Sequence, residues 1–446
     1  MRSRPLGRRI PAALLLLTAC TSSSPGPAPP EPPSPTAEPT SPSSPEPSTP
    51  TPTSEPPREV AGSVRLDPPE GGSFLVRGAY PRVRSRCVDR GRPRLTARYP
   101  GTLSVERSED GTLALTVTLP FDEYLKGIAE VPSSWPMAAL EAQAIAARSY
   151  ALAVTDWHGV QGDELPTPIC ATAACQVYRG IPVPFRPEVR RWYRAVRRTE
   201  GLVLLHEGSL AETVYFSTSN GRTYGNDEVF GSAPLPYLRP VEEHDDGASP
   251  TSRWSVRIPF GDLGTFLHAA GRWPRARTIS DVRLDGGTVV VSGEGVSRSM
   301  ELASFREAVN AWAPCLMPDR YPTPSRLGTR LPVTIPSRWL DLASDGDAVV
   351  VEGRGWGHGA GMVQWGAYGK ARRGLSAAEI LAYYYGGLRP EPYPEPGLIH
   401  VEVAGGLTWL RVVPSGPGAL LEGEELGTGP VTIAGGDQGL VVSGSP

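Results

Sequence analysis

The sequence predicts an α+β fold: a mixed β-sheet module with a central helical catalytic segment, preceded by a disordered Pro/Ser/Thr-rich linker and followed by a short β tail. Three observations point there. Residues 63–86 and 94–119 alternate apolar and polar side chains, the period of half-buried strands. From Phe121 apolar residues recur at spacings of three and four, the period of a helix with one buried face. Past residue 392 short β-type runs return at 400–403, 409–413, 431–433 and 440–443.

Taken in order, the chain opens on an export signal. Arg2, Arg4, Arg8 and Arg9 precede an apolar run at 10–17 that is too short to span a bilayer. Leu17-Thr18-Ala19-Cys20 resembles a bacterial lipobox. Residues 1–19 are therefore expected to be a lipoprotein signal peptide, and Cys20 the lipidated first residue of a membrane-anchored, extracytoplasmic protein. Residues 20–58 form the linker. From Thr21 to Pro57 it holds no aromatic and no large apolar side chain, so it cannot bury enough surface to order itself, and its prolines favour an extended tether.

Four positive charges in the signal balance four negative ones in the linker (Glu31, Glu38, Glu46, Glu55), so the formal charge of −3 belongs to the remaining module as well. That near-neutral balance offers no footprint for nucleic acid.

Residues 121–129 read as one or two helical turns ended by Pro132. A second helix then starts at Pro136 behind Ser133 and Ser134 as caps. Met137, Leu140, Ala144, Ala147, Ala151 and Val154 form its apolar stripe. Glu130 sits at the junction, beside Ile128, Val131 and Trp135. Desolvation there would raise its pKa toward use as a general acid, whereas the N-terminus of the next helix would favour the charged form, and the plain alternative is a charge that stabilises that helix.

Four cysteines follow Cys20: Cys87, Cys170, Cys175 and Cys315. An even number in an exported chain favours disulfides, with a local bridge between Cys170 and Cys175 leaving Cys87 for Cys315. Zinc held by Cys170, Cys175 and His158 is the minor alternative, since a pair of thiolates is half a zinc site. No cofactor is otherwise expected. Residues 240–342 read as a mixed α/β section with a strand at 287–292 and a helix at 302–312.

Residues 353–367, GRGWGHGAGMVQWGA, place glycine at every second position from 353 to 361. Such a run lets another molecule approach the main chain. It has neither the spacing of a phosphate loop nor that of a dinucleotide fingerprint. With Trp356, His358, Gln364 and Trp365 it suits a sugar, or else it is a tight packing loop. Ser376-Ala377-Ala378-Glu379 is a capping box opening a last helix that stops at Gly386-Gly387.

FDEYLKGIAEVPSSWPMAALEAQAIAARSYAL resembles the core of the SpoIID/LytB family, and so do CQVYRG, YFSTSNGRT, PYL, GRGWGHGAGMVQWGAYGKA and EILAYYYGG, in family order. The domain resembling the family is expected at 59–392, with core motifs at 121–240 and 349–388 and a β-rich tail at 393–446. The resemblance implies a peptidoglycan lytic transglycosylase that cuts peptide-stripped glycan strands between N-acetylmuramic acid and N-acetylglucosamine and leaves 1,6-anhydro ends. Glu130 falls at the family's catalytic acid. The LytB branch implies the alternative, a non-catalytic glycan-binding enhancer partnered with an N-acetylmuramoyl-L-alanine amidase. Gln143, Arg148, Tyr150, Ser219, Thr223, Trp356, His358, Gln364 and Trp365 become candidates for substrate binding. A surface ion pair for Arg148, a backbone-bonded imidazole for His358 and core packing for the tryptophans are equally open. The chain departs from the family pattern at Val131, Ser149, Ala173-Ala174 and Asn220, which weakens the metal reading and leaves the acid in place.

Overall fold

The computed structural model describes residues 58–60, 62–79, 95–128, 130–159, 165, 167–182, 187–321, 333–436 and 439–444. The expected signal, Cys20, the linker and Cys87 lie outside these. The fold is α+β. Eight helices among the described residues are α1 (Phe121–Lys126), α2 (Met137–Val154), α3 (Val189–Arg198), α4 (Asn226–Phe230), α5 (Phe260–Ala269), α6 (Leu302–Leu316), α7 (Gln364–Arg372) and α8 (Ala377–Tyr384). None of them is long and apolar enough to cross a membrane.

Two sheets join the N-terminal strands of the described residues to the C-terminal ones. One runs in the order Arg58–Val60, Leu440–Gly444, Val431–Gly435, Trp409–Pro414, Phe74–Ala79 and Leu95–Tyr99. The other runs Glu424–Leu426, Ala419–Leu421, Ser63–Asp67, Thr102–Arg107, Leu113–Pro120, Leu398–Leu407 and Ile169–Cys170. Strict alternation of buried and half-buried residues in Leu113–Pro120 shows why this stretch is a strand with one covered face. Val64, Phe74, Leu103, Val401, Val412 and Ile433 share one core with α1–α3. The β-rich stretch past residue 392 is thus no appendage. It supplies central strands to both sheets, a long-range pairing that no local pattern reveals.

Residues 254–353 form a further unit with its own core. Its antiparallel sheet runs Trp254–Pro259, Ala348–Gly353, Leu340–Asp345, Asp281–Asp285, Thr288–Gly293 and Val296–Glu301, and α5 and α6 pack on it.

The helical centre differs from its sequence reading in two ways. Pro136 itself is the N-cap of α2 and no side chain caps the helix; Ser133 and Ser134 lie in a turn closed by the Trp135 N–H on the Pro132 carbonyl at 3.1 Å. Nor is α2 covered along one stripe. Ala139, Leu140, every residue from Ala142 to Ser149, Ala151 and Leu152 are buried, while Val154 is exposed. The alanines explain this: their small side chains let α3, α7, α8 and Leu202–His206 close on several sides at once. At α8 the expected capping box is present, with the Ser376 N–H donating to Glu379 Oε2 at 2.8 Å and the Glu379 N–H to Ser376 Oγ at 3.3 Å.

Candidate functional site

Glu130 stands on the turn between α1 and α2. An isolated bridge pairs Ile128 with Tyr178, which brings the segment after the cysteines alongside. The Val177 N–H donates to Glu130 Oε1 at 2.7 Å. Burial raises the Glu130 pKa above the usual carboxylate value; the Val177 bond and the charge of Arg179 oppose that rise without cancelling it. Desolvation therefore wins over the charge-stabilising effects near the turn.

Tyrosines surround this carboxyl. Tyr124 donates to Gln176 Oε1 at 2.6 Å, and Gln176 Nε2 donates to the Ala147 carbonyl and the Tyr215 hydroxyl, both at 3.0 Å. Burial holds Tyr124 and Tyr215 well above the ordinary phenol value, and the charge of Glu130 adds to both shifts. Tyr150 is pushed up to about 12, by burial first and then by the charges of Glu212 and Glu130. Its hydroxyl makes no hydrogen bond among the described residues, and the residue is half-buried, so it is a candidate near enough to feel the charge of the acid with capacity to spare.

Cys170 and Cys175 are joined in a disulfide with their Cα atoms 5.5 Å apart. This closes the turn immediately before Gln176 and Val177. Cys315 is also disulfide-bonded; its expected partner Cys87 lies outside the described residues.

Other candidates face into the protein. Arg148 is 1% exposed, pairs with Glu395, and donates to Thr199 Oγ1 and to the Leu202 and Val196 carbonyls at 3.3 Å each. Ser219 donates its hydroxyl and its backbone N–H to Asp246 Oδ2 at 2.8 and 2.7 Å. Thr223 Oγ1 accepts from the Val241 N–H at 2.9 Å. Gln364 Nε2 meets Gln143 Oε1 at 3.4 Å in a buried pair between α2 and α7.

The glycine-rich loop lies on the strand-like segment 214–219. Trp356 and Thr218 exchange backbone bonds at 2.8 and 3.0 Å. Gly355, Gly357, Gly359 and Gly361 all have positive φ, between 75° and 120°. At Gly357 a Cβ would lie 2.7 Å from Phe216 Cβ, and at Gly361 it would run into the Val214 carbonyl. The alternation therefore serves backbone approach within the chain. The Ala360 N–H donates to His358 Nδ1 at 3.1 Å, so the proton sits on Nε2, which donates to the Tyr215 carbonyl at 2.8 Å. The loop thus holds the backbone of Tyr215, whose hydroxyl accepts from Gln176, the neighbour of Val177. Trp356 is half-buried, and its indole N–H is buried without a partner among the described residues. Trp365 meets the Trp135 ring at 5.0 Å and the Tyr368 ring at 5.3 Å, and Trp365 and Tyr368 keep part of their surface outside.

Burial lowers His358 to about 4, with Arg338 adding to the shift and the Tyr215 carbonyl opposing it. Its folded value lies below the unfolded value of about 6.5, so the unfolded chain binds the proton first as pH falls. Stability from this residue is complete above about pH 6.5 and is lost between about 6.5 and 4. The expected loss is about 2–3 kcal/mol, read from denaturant midpoints at several pH values. His358→Gln should flatten that slope; an unchanged slope would remove His358 as its source.

Sequence reading missed Gln176, Arg179, Glu212, Tyr215 and Tyr368. Gln176, Arg179 and Tyr215 lie inside quoted motifs, and their only signal was proximity to the cysteines or to the polar turn. Glu212 carried none.

Residues 109–206 match the SpoIID family model, described as Stage II sporulation protein. An uncharacterized protein of Brachyspira hyodysenteriae is 28% identical over 307 residues, covering 65% of this chain and 71% of that protein. The amidase enhancer of Bacillus subtilis is 29% identical over 298 residues, covering 59% of this chain but 39% of the enhancer. Stage II sporulation protein D of the same organism is 26% identical over 278 residues, covering 60% and 74%. These matches make the chain a relative of the SpoIID/LytB proteins, with a SpoIID-family segment at residues 109–206 that contains Glu130.

Proposed function

We propose that this protein remodels the cell wall as a lytic transglycosylase on peptide-stripped glycan strands. The observation that carries the reading is Glu130: a half-buried residue whose carboxyl has a raised pKa and is held by a backbone N–H on a turn between two helices. A conventional glycosidase needs two carboxylates. Here one is enough. Glu130 donates its proton to the glycosidic oxygen as the bond from the anomeric carbon breaks. The 6-hydroxyl of the same muramic acid then bonds to that carbon and returns its proton to Glu130, so the enzyme ends as it began and no cofactor enters. Tyr150 and the half-buried Trp365 and Tyr368 supply a hydroxyl and ring faces for the sugars.

The test is digestion of amidase-treated glycan strands by the purified protein, followed by mass analysis. Anhydro-muramic ends are expected, and their absence at high enzyme concentration would remove the reading. A second reading, a non-catalytic partner of a wall amidase, is favoured by the relative named amidase enhancer. It predicts faster amidase turnover with no anhydro ends.

The lipobox-like motif and the tether behind it support a lipid anchor that would hold the protein outside the membrane. Cys20→Ser is expected to move the protein from the membrane fraction to the soluble fraction. Unchanged fractionation, with no lipid mass on the wild type, would exclude the anchor.

A further inference from the structure

Two of the cations near the Glu130 turn have partners among the described residues. Lys126 bonds Asp122 at 2.7 Å and Glu123 at 2.6 Å. Arg191 donates to the Ser133 and Trp135 carbonyls at 3.2 and 2.9 Å. Arg179 makes no side-chain hydrogen bond or ion pair among the described residues. Its backbone N–H donates to the Gly127 carbonyl at 2.9 Å, and two residues earlier Val177 holds the acid. Val177, Tyr178 and Gly180 are buried, while Arg179 itself is exposed. A locked segment thus presents one guanidinium to solvent next to Glu130, near enough for its charge to act on that carboxyl.

A guanidinium so placed suits a carboxylate, which it can bind through two parallel hydrogen bonds. Muramic acid carries a lactyl ether. While a stem peptide is attached, its carboxyl is a neutral amide; once the peptide is removed, it is a free carboxylate. We infer that Arg179 binds this lactyl carboxylate and thereby selects stripped strands for the Glu130 site. The inference rests on the transglycosylase reading for the identity of the ligand.

The arrangement also couples recognition to proton transfer. Arg179 on its own favours the ionised acid. A bound carboxylate offsets that charge, so Glu130 holds its proton better when the right strand is present. The other groups facing this carboxyl are Tyr124 of α1, Tyr150 of α2 with Glu212 beside it, and Tyr215. All are neutral phenols near pH 7 apart from Glu212, whose own pKa is raised by burial. Arg179 is therefore the group whose neutralisation changes most.

The experiment uses the full protein carrying Glu130→Gln, so that strands are bound and not cut. Binding is measured for amidase-stripped strands and for the same strands with their carboxylates converted to methylamides. Stripped strands should bind ~10- to 100-fold more tightly. Adding Arg179→Ala should bring them to the methylamide level, and Arg179→Lys should recover part of the difference. With Glu130 intact, Arg179→Ala should raise KM on stripped strands and move the alkaline limb of kcat/KM upward in pH. A stripped-to-methylamide ratio that Arg179→Ala leaves unchanged overturns the inference, as does equal or undetectable binding of both strands by the parent. If the ratio behaves as expected but the wild type yields no anhydro ends, transglycosylase chemistry fails and Arg179 remains a carboxylate-reading residue of a binding protein.

Discussion

Glu130→Gln is expected to give a folded protein that still binds glycan strands and releases anhydro ends ~10²–10⁴ times more slowly. The side-chain amide keeps the size of the carboxyl, and its oxygen can still accept from the Val177 N–H. What it lacks is the transferable proton. Because burial raises the Glu130 pKa, the acid stays protonated to higher pH than an ordinary glutamate, and wild-type turnover should fall as pH rises through that raised value. The variant also removes the desolvation of a charge, so its melting temperature should equal or exceed that of the wild type. Full activity in the variant, measured on stripped strands, would end the assignment.

Arg148→Ala is expected to act on the fold rather than on the sugar. The guanidinium is 1% exposed and ties α2 to the end of α3 and to Glu395 near the start of Leu398–Leu407. Removing it strands Glu395 and three acceptors, which should lower stability by about 3–5 kcal/mol in denaturant titrations. Arg148→Lys should rescue little, because an ammonium cannot reach several diverging acceptors as a planar fork does. A variant with wild-type stability and lost glycan binding would instead place Arg148 at the substrate.

These two residues show what sequence can and cannot convey. The α1–turn–α2 segment was legible because helix period and proline are local, and Glu130 stood out at the break, although the serines expected as caps lie in the turn instead. The burial of Arg148 was not legible: a helical arginine looks the same whether it meets water or a carboxylate, a hydroxyl and two carbonyls from elsewhere. The glycine run was correctly seen as a place of close approach. What approaches is the chain's own segment 214–219, and alternation alone cannot tell a ligand from a neighbouring strand. The strands at 400–443 were visible one by one, while their partners, more than 300 residues away in several cases, were not.

The bridge between Cys170 and Cys175 bears on when this protein becomes dangerous. The six-residue ring it closes ends where Gln176 and Val177 begin, and those two residues hold Tyr124, Tyr215 and Glu130 in register. A chain still in a reducing cytosol has open thiols there, and the wall of the acid is free to wander. On the proposed reading, a glycan-cleaving site would thereby stay blunt at its place of synthesis and be sharpened by oxidation outside the cytosol, like a blade that locks open only outside its sheath.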